Sequence, residues 1–332
     1  MTESNDRTLT EPRVLVLGSA NVDTFLYVDD FPAPGETIFG QAGRTGLGGK
    51  GANQAVAAQR TGAETTFVGM VGADDGGAFV RRTLDDNGVD TSALLTSASA
   101  PTGAAYISVN AEAENTIVVV SGANAELTAD ALVSHDVDAL IAAAEPTIAL
   151  TQGELAPDTI AAFAAASARG GVRFVLNLAP AAPVDAAALR VADPLIVNEG
   201  EAQAIARGGA SEPGDDIVAW ALATAQDLVG TVSTSVVITL GASGAVAATA
   251  DGVWHQPSPR PAEVVDTTGA GDAFVGALAA VLAAGRPLAE AVRWGVAAGS
   301  AAVAGHGTVE SYTRLARFDH DALAAEAGRT SA

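Results

Sequence analysis

The chain has no cysteine, only two methionines and few basic side chains, 17 against 39 acidic ones in 332 residues. Without cysteine it can form neither disulfide bonds nor a thiolate-ligated metal centre. The net charge of −22 excludes a basic face that would bind the phosphate backbone of nucleic acid, and it disfavours contact with anionic membranes. A single lysine, Lys50, is present, so nearly all the basic residues are arginine.

Long hydrophobic runs are missing as well. The segment 1–13 is polar and lacks the apolar core of a signal peptide. The most apolar stretches, near 276–285 and 294–305, are shorter than the ~20 residues that span a bilayer. We therefore predict a soluble cytoplasmic protein. Its hydrophobic content of 48% is high enough for one large core or two domains.

Arginine is scarce in addition to lysine, which bears on the origin of the acidity. A GC-rich genome would deplete lysine but should raise arginine. Many carboxylates with few cations suit a protein kept soluble in concentrated salt, where charge repulsion is screened within about 3 Å at 1 M. The composition favours a halophile-like protein, with genome bias as the alternative.

Short apolar runs alternate with alanine-rich segments of helical length. The runs that predict buried strands are 14–18, 66–71, 147–151, Arg173–Asn177, 195–198 and 235–240. The segments that predict helices are 52–60, 77–87, 129–144, Pro157–Arg169 and 217–229. This alternation is typical of an α/β fold, with a mostly parallel sheet covered by helices on both faces.

Two segments interrupt the alternation, 24–45 and 102–122. The first has little helical character, and the second predicts two strands, 104–109 and 116–120, joined by a polar turn. We predict that both form a small β-sheet outside the main sheet. Its apolar side chains would need cover from a second subunit or a closed substrate. An edge hairpin of the main sheet is the alternative.

A carboxylate follows two glycines at the start of a predicted helix, in the sequence Gly269-Ala270-Gly271-Asp272. Glycines at a helix start allow backbone N–H groups to converge on an anion, which the helix dipole also favours. A carboxylate beside such a cradle can accept a proton from an alcohol that attacks a phosphoryl group. An acidic residue after a glycine turn is also common without any catalytic role.

A second glycine-rich stretch matches G-x-G-x-x-G at Gly46, Gly48 and Gly51. The match does not directly follow the first predicted strand, so it is a weak dinucleotide signature and a dehydrogenase is only a remote alternative. Gly51 also stands where a P-loop requires Ser or Thr after its lysine. What remains is a glycine turn entering a helix, with Lys50 and Asn53 placed to contact a polar ligand.

Two polar segments follow predicted strands, at the edge where open α/β sheets bind ligands. The side chains of Asn21 and Asp23 point the same way and can bind vicinal hydroxyls, although a simple Asn/Asp turn is commoner. Asn198 and Glu201 have a spacing that can hold Mg²⁺ through water. The same spacing also fits a capping box at the start of a helix.

Together these segments resemble the ribokinase-like family of PfkB-type carbohydrate kinases, in order and over nearly the whole chain. The matching motifs lie at 18–23, 34–37, 48–58, 109–110, 122–124, 198–201, 238–241 and 266–272. The resemblance implies a three-layer αβα sandwich with a mostly parallel central sheet, and a small β lid that also makes a homodimer. The implied divisions are a large kinase domain of 12–23, 46–101 and 123–318, a lid of 24–45 and 102–122, and polar tails of 1–11 and 319–332.

The resemblance also implies roles for the matching positions. Asp272 would be the catalytic base, and the anion hole would be Gly269, Ala270 and Gly271. The residues facing the sugar would be Asn21, Asp23, Gly49, Lys50, Gly51, Asn53 and Glu154. The residues lining the ATP site would be Asn198, Thr239, Leu240, Gly241, Ala242, Ser243, Gly244 and Gly271.

Two metal sites are implied in the same way. Mg²⁺ would be bound near Asn198 and Glu201, either directly or through water. The ligands of a monovalent cation, usually K⁺, would be Asp266, Thr268, Ala302, Gly305, Gly307 and Ser311. The sequence departs from the family pattern at Gly153, beside Glu154, and in the loosely matched segment 305–311.

The activity implied by the resemblance is ATP-dependent phosphorylation of D-ribose at O5. Asn21 favours ribose, because relatives that prefer deoxyribose tend to have an apolar residue there. The alternatives are a sibling kinase for deoxyribose, a nucleoside such as adenosine or uridine, or a fructose-type sugar. A non-catalytic sugar-binding sensor is a remote alternative, since it would be expected to lose Asp272, Asn198 or Glu201.

Overall fold

The structure, a computed structural model, describes residues 11–112, 114–206, 216–261 and 263–317. The predicted polar tails lie outside the described residues, apart from residue 11. The strands are β1 (Arg13–Leu17), β2 (Asn21–Tyr27), β3 (Gln41–Gly48), β4 (Glu64–Gly72), β5 (Leu94–Ser97), β6 (Gly103–Val109), β7 (Asn115–Val120), β8 (Ile148–Gln152), β9 (Arg173–Asn177), β10 (Ala192–Asn198), β11 (Val236–Thr239), β12 (Ala245–Thr249) and β13 (Gly252–Gln256). The helices are α1 (Lys50–Thr61), α2 (Asp75–Asp86), α3 (Ala129–Ser134), α4 (Val137–Ala144), α5 (Pro157–Arg169), α6 (Ala186–Val191), α7 (Glu199–Ile205), α8 (Ile217–Leu228), α9 (Ala270–Ala283) and α10 (Leu288–Ala302), with 3-10 turns at Gly122–Glu126, Gly241–Ser243 and Val309–Arg314.

Within the described residues, nine strands form the main sheet in the order β13-β12-β11-β10-β9-β8-β1-β4-β5. Neighbouring strands pair in parallel through the part of the sheet that contains β11, β10, β9, β8, β1, β4 and β5. The strands β12 and β13 pair antiparallel and form one edge. A parallel sheet of this kind must be covered on both faces. Its strands therefore consist mostly of buried aliphatic residues, as the sequence predicted.

Helices cover both faces of this sheet. Alternate residues of β1 point to opposite sides, so Val14 and Val16 join one core while Leu15 and Leu17 join the other. The first core is closed by α1, α2, α9 and α10, and the second by α3 to α8. The predicted three-layer αβα sandwich is confirmed.

The second sheet has four strands in the order β3-β2-β6-β7. In it β2 pairs in parallel with β6, while the other two pairs are antiparallel. The prediction of a small sheet outside the main one is confirmed, and the edge-hairpin alternative is wrong. The strands of this sheet run from Asn21 to Gly48 and from Gly103 to Val120, so its bounds differ slightly from the lid predicted at 24–45 and 102–122. The division into domains stays a prediction.

Three parts of the chain differ from the sequence-based expectation. The helix predicted over 129–144 is two helices, because Asp136 adopts a left-handed conformation (φ 51°) and caps α4 by accepting a hydrogen bond from Ala139 N at 3.1 Å. The long helix α10 and the strands β12 and β13 were not predicted. None of the helices in the described ranges has both the length and the apolarity needed to cross a membrane.

Candidate active site

A cavity of about 600 Å³ lies between the carboxyl edge of the main sheet and the small sheet. This is the edge at which open α/β sheets bind ligands. The predicted site residues that line it are Asn21, Asp23, Gly49, Lys50, Asn53, Glu154, Asp266, Thr268, Gly269 and Asp272. The structure thus brings the predicted sugar-facing residues other than Gly51, together with the predicted base, into one cavity, although the sequence spreads them over four segments.

The start of α9 forms one wall of this cavity. Gly269 precedes the helix with φ of +77°, a conformation that favours glycine. A Cβ at this position would lie 2.3 Å from Thr308 Cγ2. The fully buried Tyr312 donates a hydrogen bond from its hydroxyl to Gly269 O at 2.8 Å. The helix start is therefore fixed in place. Ala270 N donates to Thr267 O at 3.3 Å, so the N–H groups that follow it in the first turn are the ones available to an anion.

Asp272 is buried and held by two amide side chains. Asn53 donates to its Oδ2 atom at 3.0 Å, and Gln54 donates to Oδ1 at 2.9 Å. The second N–H of Gln54 donates to Asn177 Oδ1 at 2.8 Å, and Gln54 Oε1 accepts from Gln152 at 2.9 Å. Because every partner of Gln54 is itself a buried polar group, the network fixes the orientation of the carboxylate.

Three members of this network were not among the predicted site residues. Gln152 and Asn177 are the last residues of β8 and β9, and Gln54 follows Asn53 in α1. The available signal was a polar residue at the carboxyl end of an otherwise apolar strand, a position that faces the ligand edge of a parallel sheet.

Lys50 begins α1 directly after Gly49 and is held close to the end of β1. A Cβ on Gly51 would lie 2.6 Å from Gly18 Cα, so the two backbones approach as closely as only glycine allows. The negative charge of Asp272 raises the pKa of Lys50, although burial opposes it. The one lysine of the chain therefore stays charged at the cavity wall.

Two residues outside the predicted set position the end of the cavity where a sugar is predicted to bind. Asn124 donates from Nδ2 to Asn21 Oδ1 at 2.8 Å and accepts from Ala20 N at 2.9 Å. This leaves the amino group of Asn21 as the donor for a ligand. Ser19 makes a short hydrogen bond to Glu154, which also accepts from the backbone N–H of Lys50 at 2.9 Å. Asn124 lies in the motif 122–124 that carried the family resemblance.

Two buried oxygen atoms in the cavity have no hydrogen-bond partner within the described part of the chain, Asp23 Oδ1 and Asn53 Oδ1. Buried acceptors are normally paired, so their exceptions need an explanation. Burial, followed by the charge of Glu154, raises the pKa of Asp23 to about 7, although Arg44 opposes the shift. A ligand with hydroxyl groups would satisfy both acceptors.

The raised pKa of Asp23 gives a pH prediction. An ionised carboxylate accepts hydrogen bonds from hydroxyl groups with all its lone pairs, whereas the protonated form loses part of that capacity. We expect the KM for the predicted sugar substrate to fall about tenfold between about pH 6 and pH 8 and then level off, since the ionised fraction of Asp23 rises across a pKa of about 7. Steady-state kinetics over this range measure it. Asp23→Asn should raise KM and remove the pH dependence, and an unchanged profile would contradict the role of Asp23.

The predicted nucleotide residues lie further along the same edge. Asn198 and Thr239 are neighbours in register at the ends of β10 and β11. The loop Gly241–Ser243 follows as a 3-10 turn, closed by a hydrogen bond from Leu240 N to Gly244 O at 2.8 Å. The predicted ATP-site residues of these two strands and of their loop are therefore adjacent to one another, whereas Gly271 lies in the first turn of α9.

The capping-box interpretation of Asn198 and Glu201 is confirmed. Asn198 Oδ1 accepts from Glu201 N at 2.8 Å, and Glu201 Oε2 accepts from Asn198 N at 2.8 Å. Burial raises the pKa of Glu201. The box uses one carboxylate oxygen and leaves the other for water, so it is compatible with the alternative, a water-mediated contact to Mg²⁺.

The residues expected to bind a monovalent cation lie in two segments that pack together. Asp266 accepts hydrogen bonds from Thr268 N at 2.9 Å and from Gly307 N at 3.0 Å. Ala302 O accepts from Gly305 N at 3.1 Å, and the Ser311 hydroxyl donates within its own turn. Asp266 also pairs with the guanidinium of Arg44, at 3.4 Å. Burial raises the pKa of Asp266, but the hydrogen bonds from Thr268 and Gly307 and the charge of Arg44 outweigh it and lower the pKa overall.

The site combines an anion-binding helix start, a fixed buried carboxylate and a cavity with unpaired acceptors. On this fold, the combination defines a phosphotransferase that acts on a small hydroxylated substrate. The chain matches the family described as pfkB family carbohydrate kinase over residues 11–314, and it belongs to that family.

Within this family, the chain is similar to curated proteins and solved structures of known name. The chain is 36% identical to the ribokinase of Staphylococcus aureus (strain COL) over 306 residues, which cover 91% of this chain and 97% of that protein. It is 32% identical to the deoxyribokinase of Salmonella typhi over 311 residues, 92% of this chain and 97% of that protein. The structure of Arabidopsis thaliana ribokinase complexed with ribose and ATP superposes with a TM-score of 0.83 at 29% identity, covering 93% of this chain and 100% of that one.

Proposed function

We propose that this protein is a ribokinase, which transfers the γ-phosphate of ATP to O5 of D-ribose. The observation that carries the proposal is the buried carboxylate of Asp272, fixed by Asn53 and Gln54 at the start of α9 and open to the sugar cavity. Ribokinases similar to this chain over nearly its full length support the choice of sugar.

The geometry supports a direct transfer. Asp272 accepts the proton of the sugar hydroxyl while the oxygen of that hydroxyl forms a bond to the γ-phosphorus of ATP. The bond between the γ-phosphorus and the bridging oxygen breaks, and ADP leaves with that oxygen. The first-turn N–H groups after Gly269 stabilise the negative charge that develops on the transferring phosphoryl group. Lys50, charged and beside Asp272, adds positive charge at the same place. Burial by Tyr312 and Thr308 keeps the cradle rigid.

We propose Mg²⁺ as the metal that accompanies ATP, where it neutralises charge on the phosphates. The part of the chain that the structure describes has no group of three or more His, Asp or Glu side chains that could hold a metal alone. Asn198 and Glu201 would therefore contact the ion through water while the phosphates supply most ligands. The monovalent cation implied by the resemblance is not part of this proposal, because Asp266, its expected carboxylate ligand, already pairs with Arg44.

Ribose is favoured over deoxyribose by the orientation of Asn21. Its Oδ1 atom accepts from Asn124, so its amino group is left to donate to a sugar hydroxyl. A site built to hydrogen-bond a hydroxyl discriminates strongly against the analogue that lacks it. Deoxyribose is the second candidate substrate, because the chain is also similar to a deoxyribokinase.

A substrate panel tests this proposal. ADP release would be coupled to a reporter for D-ribose, 2-deoxy-D-ribose, D-fructose, adenosine and uridine. We expect kcat/KM for D-ribose to exceed the others by about tenfold or more. A nucleoside or deoxyribose that is better than ribose by that factor would overturn the choice of substrate while leaving the kinase class intact.

We also propose a homodimer formed through the small sheet. Its outer face has exposed apolar side chains at Tyr106, Val118 and Val120, which lie side by side in β6 and β7. Contiguous exposed apolar side chains mark interaction surfaces.

The dimer gives a prediction for Val118→Asp. A charge in a buried interface is strongly unfavourable, so we expect the dimer of the wild-type protein to become a monomer. Sedimentation velocity measures the change. Val133→Asp, on the exposed face of α3, is the matched control and should leave the dimer intact. A monomeric wild-type protein would contradict the proposal.

Two further proposals concern the conditions in which the protein works. The net charge of −22 suits function in concentrated salt, and activity that peaks at low salt and falls steadily above it would contradict this. We place the reaction in the cytoplasm, where its nucleotide substrate is available.

A further inference from the structure

Arg44 extends from β3 of the small sheet to the segment that leads into α9. Its Nη2 atom lies 3.4 Å from Asp266 Oδ2, and its Nη1 atom lies 3.8 Å from Glu310 Oε2. Its guanidinium carbon lies 3.9 Å from the centroid of the Phe25 ring. The side chain is therefore held from three sides. An isolated surface ion pair gains one contact for the side-chain entropy it loses, whereas Arg44 makes three contacts in one conformation.

The backbone opposite the guanidinium leaves room for it. A Cβ on Gly307 would lie 2.5 Å from Arg44 Nη1, closer than two such atoms can approach. Gly307 has φ of +80°, and its N–H donates to the same Oδ2 atom of Asp266 that Arg44 contacts. The Arg44–Asp266 pair is thus part of the packing of this segment.

This pair conflicts with a bound monovalent cation. The family resemblance implies a cation such as K⁺ on the carboxylate of Asp266. The guanidinium of arginine keeps its charge at any ordinary pH, and two positive charges within a few ångströms repel each other. Both oxygens of Asp266 already accept hydrogen bonds, from Thr268 and Gly307. The residues present do not fit a second cation while Arg44 is in place.

We infer that the guanidinium of Arg44 supplies the positive charge at Asp266 in place of a bound monovalent cation. Asp266 lies three residues before Gly269, and its hydrogen bonds fix the segment that leads into the anion cradle. Arg44 is therefore a positioning residue that acts through Asp266. Turnover needs the divalent metal but no added K⁺.

The test compares K⁺ with tetramethylammonium, which is too large for a site between carbonyl groups, at equal ionic strength. In the wild-type protein we expect kcat to change less than about twofold and Tm to stay the same, because no site responds to K⁺. Arg44→Gln removes the charge. Its kcat should be about tenfold lower in tetramethylammonium, and K⁺ should both restore it and raise Tm, since a ligand that binds only the folded state stabilises it.

Two further variants sharpen the comparison. Arg44→Lys keeps the positive charge and should remain independent of K⁺. Arg169→Gln removes a distant arginine paired with Asp138 and should show no response to K⁺ in either measurement. If Arg44→Gln does not fold, the wild-type protein and Arg44→Lys decide the question by themselves.

A rise in kcat and Tm with K⁺ that is as large in the wild type as in Arg44→Gln would overturn the inference. So would an Arg44→Gln protein whose kcat and Tm match the wild type with and without K⁺. The kcat measurement rests on the proposed function, whereas the Tm measurement does not. Absence of ribose phosphorylation in every buffer would therefore count against the proposed function, with the Tm response still deciding the role of Arg44.

Discussion

Replacing Asp272 with asparagine should lower kcat by about 10²- to 10⁴-fold, because it removes the proposed base while keeping the size of the side chain. The Kd for ribose, measured by calorimetry, should change little. The asparagine amino group would face a donor from Asn53 or Gln54, so we also expect a loss of about 1 kcal/mol in the free energy of unfolding.

Asp158→Asn is the matched control for this variant. Asp158 also lies in the first turn of a helix, α5, but it is exposed and outside the cavity. Like Asp272, the carboxylate of Asp158 interacts favourably with the dipole of its helix. The Asp158→Asn variant loses that interaction alone and should leave kcat unchanged. An Asp272→Asn protein with near-wild-type turnover and intact sugar binding would refute the assignment of the base.

Replacing Gly269 with alanine should have the second largest effect. The new Cβ would lie 2.3 Å from Thr308 Cγ2, so the first turn of α9 must shift. Losing one correctly placed donor from an anion hole costs about 10²- to 10³-fold in kcat. We expect a loss of that size, with the KM for ribose changed much less, because the predicted sugar-facing residues lie outside α9, on β2, at the start of α1 and after β8.

Gly230→Ala separates this effect from backbone strain. Gly230 also has a positive φ, 73°, but its Cβ would meet no atom within 4 Å. Both variants place alanine in the left-handed region, which costs about 1–2 kcal/mol. Only Gly269→Ala should lose turnover. Equal kcat values for the two variants would show that the start of α9 does not bind the transferring phosphoryl group.

Much of the fold could be predicted from the sequence, because buried parallel strands leave apolar runs that local pattern reveals. The strands β1, β4, β8, β9, β10 and β11 all lie where such runs were found. The break between α3 and α4 at Asp136 was missed. The left-handed backbone of Asp136 ends α3, but the alanine-rich sequence around it looks continuously helical. The helix α10 was missed because Gly295 and Gly299 interrupt its sequence, and glycine inside a helix weakens the local helical signal.

The site shows a similar division. Asp272, Lys50 and Asn53 were found because glycines beside a helix start reveal an anion or ligand position. The contacts of Gln54 with Gln152 and Asn177 could not be predicted, because they depend on how α1 packs across β8 and β9. Likewise Arg44 and Asp266 are separated by more than two hundred residues, and no local pattern indicates their contact.

The composition takes on a further meaning at the site. A chain with so few cations places Lys50 and Arg44 in one cavity, where they face Asp23, Glu154 and Asp272. The substrate ATP is itself an anion, so positive charge is needed there more than elsewhere. Under the proposed function, Lys50 supplies positive charge beside the proposed base and Arg44 supplies it at Asp266, in a chain whose net charge is −22.

The position of the phosphate in the product tests the central claim most directly. The purified protein would be incubated with ATP, Mg²⁺ and ¹³C-labelled D-ribose, and the product examined by ³¹P and ¹³C NMR. Our account predicts one sugar phosphate whose phosphorus couples to C5, with ADP formed in equal amount, and no such product from Asp272→Asn on the same timescale. A phosphate on another carbon, or ADP formed without any sugar phosphate, would contradict it.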